Sequence, residues 1–426
     1  MSVQVESNIQ VNKNTNKQKK TKKRSKRKPL NFRNEDGKMM KDFDPKILES
    51  FKPRQVKVRN SRSIKISSYN KKNKKQVKDD WGRVPQCHTN GGWIYKNNEI
   101  IKNQRGIVWE VIKNLAGNIF KTEKDLATVT LPVTLFEPRS YLHRIFDSLA
   151  FAPLFLKLAA EQKDPAEKMK LVIACMTAGL HQTVAQQKPF NPILGETFQG
   201  CFADGSEVFA EQVCHHPPIS AYEIIDKDKL YHLHGRLTFK CKYKGYAIDG
   251  HSHGTTTVDF ADGSKITYTF PILHLTGVVM GDRIVEYVST ATYNDPINNL
   301  SCELTFNPEP QGWIKSIFST QEQTPSDMFN GQIIQKDKKN KEKVVCEVNG
   351  SWLGRIDFDD QTYWALKRRL RPVEFFQYKD VLLSDCQFRE DLIELRNGNL
   401  DKSAIQKKKL EVKQRRDATL RKKARK

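Results

Sequence analysis

The chain has 426 residues, with 73 Lys and Arg against 49 Asp and Glu, and a formal net charge of +24 at pH 7. Its most apolar stretch, LAFAPLFLKLAA, is broken by Lys157 and falls short of the ~20 apolar residues that cross a bilayer, so any membrane contact is expected to be peripheral. Its eight cysteines are scattered with no C-x-x-C pair, which argues against a disulfide scaffold and reads as reduced, buried thiols.

The charge sits at the ends. Residues 1–80 hold 25 Lys and Arg against 8 Asp and Glu, a net of +17. Residues 401–426 hold 12 against 3, a net of +9, which leaves −2 for residues 81–400. Segments such as NKQKKTKKRSKRKP have no apolar period and repel themselves, so residues 1–80 are expected to be a disordered basic tail. Such a tail is attracted to polyanions, either membrane or nucleic acid, or acts as a solubilising or nuclear-localisation-like run. The polar and then basic start is unlike a secretory signal, so a cytoplasmic protein is expected. Residues 81–104 read as a linker.

Residues 105–120, RGIVWEVIKNLAGNIF, place Ile107, Val108, Val111, Ile112, Leu115 and Ile119 at helical spacing. This amphipathic helix is either an ordinary core-facing helix or a mobile cover over a cavity. ATVTLPVTLFEPRSYLHRIFDSLAF reads as an extended entry leading into helix. Asp164-Pro165 with Glu167 has the form of a helix start, and EKMKLVIACMTAGLHQTVA follows as a mostly buried helix.

After residue 197 the period changes to two. In YHLHGRLTFKCKY, Tyr231, Leu233, Leu237, Phe239, Cys241 and Tyr243 share one parity, and His232, His234, Arg236, Thr238, Lys240 and Lys242 the other: a half-buried strand. TTTVDFADGSKITYTF reads as a hairpin turning near Asp262-Gly263. VVMGDRIVEYVSTATY reads as another, turning near Gly281-Asp282. NNLSCELTFN and KEKVVCEVNGSWLGRIDF continue the series, and the last ~35 residues return to charged helix. So long an antiparallel meander must close or curl to hide its edges, and a large barrel encloses space for a ligand. The predicted class is β-rich α+β.

EQVCHHPPIS, residues 211–220, is the densest chemical pattern. Cys214, His215 and His216 are consecutive, and strand neighbours point to opposite faces, so they do not converge on one ion. His232/His234 and His251/His253 are spaced to share a face, but no glutamate stands beside them as in H-E-x-x-H. Nucleophilic catalysis through Cys214 needs a base and an oxyanion hole that nothing marks. The remaining reading is a grip on an anion. Pro217-Pro218 stiffen the chain after His216. Upstream, in KPFNPILGE, Lys188 and Asn191 each precede a proline, which biases them toward extended backbone. Two imidazoles, a lysine and an amide form a donor-rich set suited to a phosphate monoester. Near the C-terminus, Lys407, Glu411 and Arg415 share one helical face. They are either surface ion pairs or part of the grip, with Glu411 holding the two cations.

EQVCHHPPIS resembles the signature of the oxysterol-binding-protein-related family, E-Q-V-S-H-H-P-P, spanning Glu211, Gln212, Val213, Cys214, His215, His216, Pro217 and Pro218. KPFNPILGETF, TLPVTLFEPRSYLHRI and SDCQFREDLIELRNGNLDKSAIQKKKLEVKQRR resemble further family segments, in family order, over roughly residues 105–418. The resemblance implies one lipid-binding domain over 105–418: a large incomplete antiparallel β-barrel around an apolar lipid tunnel, with flanking helices and an N-terminal lid at about 105–127 that carries Ile107, Val108, Val111, Ile112 and Leu115. Residues 419–426 are left as a basic C-terminal tail. It implies a non-enzymatic lipid-transfer protein, without cofactor or metal, that exchanges phosphatidylinositol 4-phosphate for a second lipid, sterol or phosphatidylserine. Carried over residue by residue, the headgroup contacts are Lys188, Asn191, His215, His216, Lys407 and Arg415, with Glu411 orienting the last two and Glu196 structural. Cys214 stands where serine is usual and removes one hydroxyl hydrogen bond. Phe375 and Phe376 in EFFQYKD read as packing residues. The competing readings are a zinc hydrolase using the His pairs and a nucleic-acid binder using the basic tails. No nucleic-acid module is evident in the body, so an anionic membrane is the expected partner of the N-terminal tail.

Overall fold

The strand series dominates the molecule. A computed structural model describes residues 81–115, 131–185, 187–243, 247–307, 324–366 and 372–424, all within the unit Pro53–Lys426. The basic tail 1–80 and residues 116–127 of the expected lid lie outside the described residues.

β1 (Trp93–Ile94) and helix α1 (Asn98–Leu115) come first. A 3-10 turn at Val133–Leu135 leads into β2 (Phe136–Ser140), helices α2 (Tyr141–Ser148), α3 (Ala152–Ala160) and α4 (Pro165–Gly179), and β3 (Lys188–Phe190). The strands then run as β4 (Thr197–Phe202), β5 (Glu207–Cys214), β6 (Ile219–Ile225), β7 (Tyr231–Tyr243), β8 (Ile248–His253), β9 (Thr256–Phe260) and β10 (Lys265–Tyr268). β11 (Ile272–Leu275), β12 (Ile284–Asp295), β13 (Leu300–Phe306), β14 (Met328–Lys336), β15 (Glu342–Ser351), β16 (Arg355–Phe358) and β17 (Gln361–Ala365) continue them. β18 (Phe375–Gln377), α5 (Glu390–Arg396) and α6 (Leu400–Ala424) end the chain.

Among the described residues, 16 strands form one antiparallel sheet, and β2 and β3 pair in parallel apart from it. The main path is β17-β16-β15-β14-β13-β12-β10-β9-β7-β6-β5-β4-β18, with β1, β8 and β11 attached beside it. Its two ends do not meet, so this is the incomplete barrel expected from the sequence.

Alternation decides which face is buried. Along β7, Tyr231, Leu233, Leu237 and Cys241 are buried, while Arg236 and Lys240 are exposed. Burying each large apolar side chain contributes about 1.5–3 kcal/mol of transfer free energy. α4 starts as its sequence suggests: Pro165 is its first residue and the Asp164 carboxylate accepts from the Ala166 N–H at 2.9 Å. Most of α4 is buried, and ring contacts such as Phe151 against Trp364, with centroids 6.2 Å apart and edge-on, join helix to sheet. Phe375 on β18 pairs with Phe202 on β4 and stacks on Phe198 at 5.4 Å, the packing role read for it.

Four boundaries differ from the sequence reading. Residues 81–104 are not a linker. Trp93 pairs with Val285, the Val84 N–H donates to the Leu353 carbonyl at 3.1 Å, and Arg83 pairs with Asp327 at 3.0 Å. α1 begins at Asn98 rather than 105, because Ile101 and Gln104 bury a first turn that lacks a strong apolar period. The second hairpin has Ile272–Leu275, not Val278–Met280, as its first arm. The loop between takes the buried Arg283 guanidinium, which donates to the carbonyls of Gly277 at 3.1 Å and Val278 at 3.3 Å. Gly277 has φ +66°, and a Cβ there would lie 1.9 Å from the Asp282 carbonyl oxygen. Finally, α6 runs to Ala424, so residues 419–424 are helix rather than a separate tail.

Candidate functional site

KPFNPILGE forms β3 and the loop after it. Lys188 aligns with Phe136 on β2, and its ammonium lies 5.2 Å from the centre of the Phe136 ring. The Lys188 ammonium also donates to the Asn191 side-chain oxygen. Burial pushes Lys188 down to about 8, with Cys241 opposing the shift and the charge of Lys407 adding to it. Gly195, at φ +79°, turns the loop, and its N–H donates to the Gln212 carbonyl at 2.9 Å. The loop is thereby pinned against the strand that carries the histidines.

A buried ionic cluster fixes this loop from behind. Arg389 donates to Glu196 at 2.7 Å, to the Asn191 carbonyl at 2.9 Å, and to both oxygens of Asp391 at 3.0 and 2.7 Å. Glu196 accepts in addition from the Ser140 hydroxyl and from the Ile193 N–H at 3.0 Å. Burial raises the Glu196 carboxyl, while Arg389 and Ser140 oppose that rise. Ser140 also caps α2, so one cluster sets the positions of the loop, α2 and α5 together.

The signature lies at the end of β5 and in the turn after it. Its residues take different faces. Gln212 is buried, accepting from Ser220 at 2.6 Å and donating to the Cys214 carbonyl at 2.8 Å, beside a register shift between Gln212 and Cys214. Glu211 and Val213 are exposed, and Cys214 is half-buried. His215 is half-buried and His216 exposed, with ring centroids 4.5 Å apart. The His216–Pro217 peptide is cis, and the Pro218 carbonyl accepts from Phe239 at 3.1 Å. Burial pushes His215 down to about 4, with the His216 imidazole adding to the shift. His215 is therefore neutral at physiological pH.

α6 supplies the other cations. Lys407 lies 5.7 Å from the Phe136 ring centre, so one ring stands beside both lysines. Lys407 donates to Glu411 at 2.5 Å, and Arg415 lies 3.9 Å from the other Glu411 oxygen. Glu411 stands between the cations, the arrangement that the i, i+4, i+8 spacing predicts. Arg415 is 66% exposed and reaches toward solvent.

These groups border an apolar cavity of about 410 Å³. Lys188, Asn191, His215 and His216 line it together with Tyr141, Leu237, Phe239 and Leu273. Lys407, Glu411 and Arg415 are not among its lining residues and stand next to that group. Val108 on α1 also lines the cavity, and Trp109 is 50% exposed. The side chains of Val111, Ile112 and Leu115 lie outside the described residues. The sequence reading missed Gln104 and Arg283. Both line the cavity, and Arg283 donates to Gln104 at 3.0 Å. Gln104 fell in the supposed linker, and Arg283 looked like a turn residue. Arg389 and Ser140 carried no signal, since their partners are distant in sequence.

The model of the family described as oxysterol-binding protein matches residues 107–372. This chain belongs to the oxysterol-binding protein family. It is 37% identical over 371 residues to oxysterol-binding protein 9 of Dictyostelium discoideum, covering 84% of this chain and 86% of that one. It is 29% identical over 260 residues to human oxysterol-binding protein-related protein 5, covering 59% of this chain but 27% of the relative. The chain thus spans about a quarter of that longer relative. Among solved structures, the Osh3 ORD in complex with PI(4)P from Saccharomyces cerevisiae aligns with TM-score 0.59 and 22% identity, over 73% of this chain and 84% of that one. The Osh1 ORD domain in complex with cholesterol aligns with TM-score 0.61 and 19% identity, over 80% and 84%. These alignments establish the shared fold. Among the described residues, no helix is long and apolar enough to cross a membrane.

Proposed function

We propose that this member of the oxysterol-binding protein family is a lipid-transfer protein. It extracts phosphatidylinositol 4-phosphate from one bilayer and exchanges it for a second lipid, sterol or phosphatidylserine, at another. The observation that carries this reading is a cation-rich rim on an apolar cavity. Lys188, Asn191, His215 and His216 line the same 410 Å³ space as Tyr141, Leu237 and Phe239. Such a site suits a molecule with an anionic head and an apolar body. Lys188 and Lys407 stand near one ring, the charge of Lys407 disfavours the Lys188 ammonium, and a bound phosphate would relieve that repulsion.

In this reading Lys188, Asn191, His215, His216 and Lys407 hold the phosphate, with Arg415 held toward it by Glu411. Val108 on α1 covers the apolar body. The work is binding and exchange, and no covalent step is required. The basic residues of 1–80 bring the chain to an anionic membrane surface from the cytoplasm. Purifying the full chain from cells and identifying co-purifying lipids by mass spectrometry tests the reading and names the second lipid. Recovery of no phosphoinositide, together with no extraction from phosphoinositide-containing vesicles, would overturn it.

A further inference from the structure

We infer that the outer face of the sheet carries a divalent transition-metal site built by His232, His234 and Asp259, with Glu223 hydrogen-bonded to His232 beside it. His232 and His234 are spaced i, i+2 on β7, so both imidazoles leave the same face. The sequence pattern offers no acid near them, but strand pairing brings two. Glu223 on β6 lies opposite His234, and Asp259 on β9 lies opposite His232. Each imidazole then meets the acid diagonal to it. His232 Nε2 lies 2.8 Å from Glu223 Oε2, and His234 Nε2 lies 2.9 Å from Asp259 Oδ2. The rings of His232 and His234 are 4.9 Å apart. One ligand atom from each of His232, His234 and Asp259 falls within 4.8 Å of the others.

The donor set suits zinc or another late divalent ion. Two imidazole nitrogens, which are borderline donors, and one carboxylate suit Zn²⁺, Ni²⁺ or Cu²⁺, with water completing the coordination and Glu223 adding a second negative charge nearby. The side chains are between 37% and 43% exposed, so an ion and its water reach them without any opening of the fold. Lys265 lies 3.1 Å from Asp259 Oδ1, where its charge weakens the site, and an ion would take the place of the Asp259 Oδ2–His234 Nε2 contact. A bound ion would clasp β7 and β9. It would do so behind the buried side chains of Leu233 and Val258, on the face opposite the lipid cavity.

The test is titration of the full chain, with any polyhistidine tag removed, by Zn²⁺ in a calorimeter and by Co²⁺ in a visible spectrophotometer. One ion per chain is expected, with the d–d bands of a low-coordinate Co²⁺ complex and a melting temperature that rises as Zn²⁺ is added. His234→Ala and Asp259→Asn should each remove the bands and the shift. Replacing His251 and His253, a second pair at the same spacing on β8, by Ala should leave both in place. Asp259→Asn should also leave phosphoinositide extraction unchanged, so this inference and the lipid reading fail separately. Absence of binding by the wild-type chain would sink the site, as would binding that survives both His234→Ala and Asp259→Asn in folded protein.

Discussion

The Arg389 guanidinium donates to the Glu196 carboxylate at 2.7 Å, across 193 residues of chain, with both side chains nearly inaccessible to solvent. The pair joins the start of α5 to the loop that presents Lys188 and Asn191. Removing one member leaves the other charge buried and alone. Arg389→Met is expected to cost about 3–5 kcal/mol of stability, because Glu196 and Asp391 both lose their cation. It should also loosen the Asn191 carbonyl and weaken headgroup binding. Denaturant unfolding measures the first effect and a vesicle extraction assay the second. Glu196→Gln alone should cost less, because the amide still accepts from Ser140 and burial already disfavours the Glu196 anion.

Local periodicity and motif spacing carried much of the architecture. β7 is the strand read from YHLHGRLTFKCKY, α4 starts at its Asp-Pro, and Glu411 sits between Lys407 and Arg415 because helical spacing puts it there. What stayed hidden depends on pairings between distant segments. Trp93 finds Val285, Gln104 finds Arg283, Glu196 finds Arg389, and Asp259 finds His234. None of these follows from a period of two or 3.6. They arise when the sheet curls and the C-terminal helices return to the loop after β3. The same reason explains the linker error: residues 81–104 have little apolar period because they add to an existing sheet and build none of their own.

The histidine pair should be essential for headgroup binding and dispensable for the fold. His215 and His216 sit on a turn, half-buried and exposed, so replacing both by Ala removes little packing. The phosphate would lose two donors at a partly desolvated mouth, and an uncompensated anion there is strongly disfavoured. The double variant is expected to melt like wild type, to lose extraction of phosphatidylinositol 4-phosphate from vesicles, and to keep any sterol binding. Undiminished extraction by a folded double variant would remove these residues from the clamp.

Lys188 predicts a pH dependence. Burial holds its ammonium at about 8 in the ligand-free protein. A bound phosphate favours the charged form and raises that value, so binding takes up a proton wherever free Lys188 is neutral. Affinity should therefore fall as pH rises through about 8, while below about pH 6 the phosphate itself gains a proton and loses charge. Lys188→Met should bind more weakly at neutral pH and lose most of the decline above pH 8. Vesicle titrations of both proteins across that range give the comparison, and an unchanged decline in the variant would assign it to another group.

Glu411→Lys separates geometry from charge. The substitution adds positive charge beside a site that binds an anion. It also removes the carboxylate that Lys407 meets at 2.5 Å and that stands 3.9 Å from Arg415. Three like charges at i, i+4 and i+8 repel along α6. Headgroup affinity is expected to fall despite the added charge, and Glu411→Gln should fall less. Stronger binding by Glu411→Lys would mean that bulk attraction, and not the held position of Lys407, governs the site.

The last prediction concerns residues 1–80, whose net charge is +17 and which offer no apolar period to insert into a bilayer. Their hold on a membrane is electrostatic, about 1 kcal/mol for each basic residue close to an anionic leaflet. It is screened over a Debye length of roughly 8 Å at physiological salt. The cavity and its rim are built from residues of 98 onward, so loading and docking are separable. Deleting residues 1–80 is expected to slow transfer between anionic vesicles and make the rate less sensitive to salt. The amount of lipid bound per protein at saturation should stay the same. A truncated chain that binds no lipid would place part of that segment within the folded domain. An unchanged transfer rate with unchanged salt dependence would instead assign the positive charge to a different polyanion, and binding of the full chain to nucleic acid would become the measurement to make.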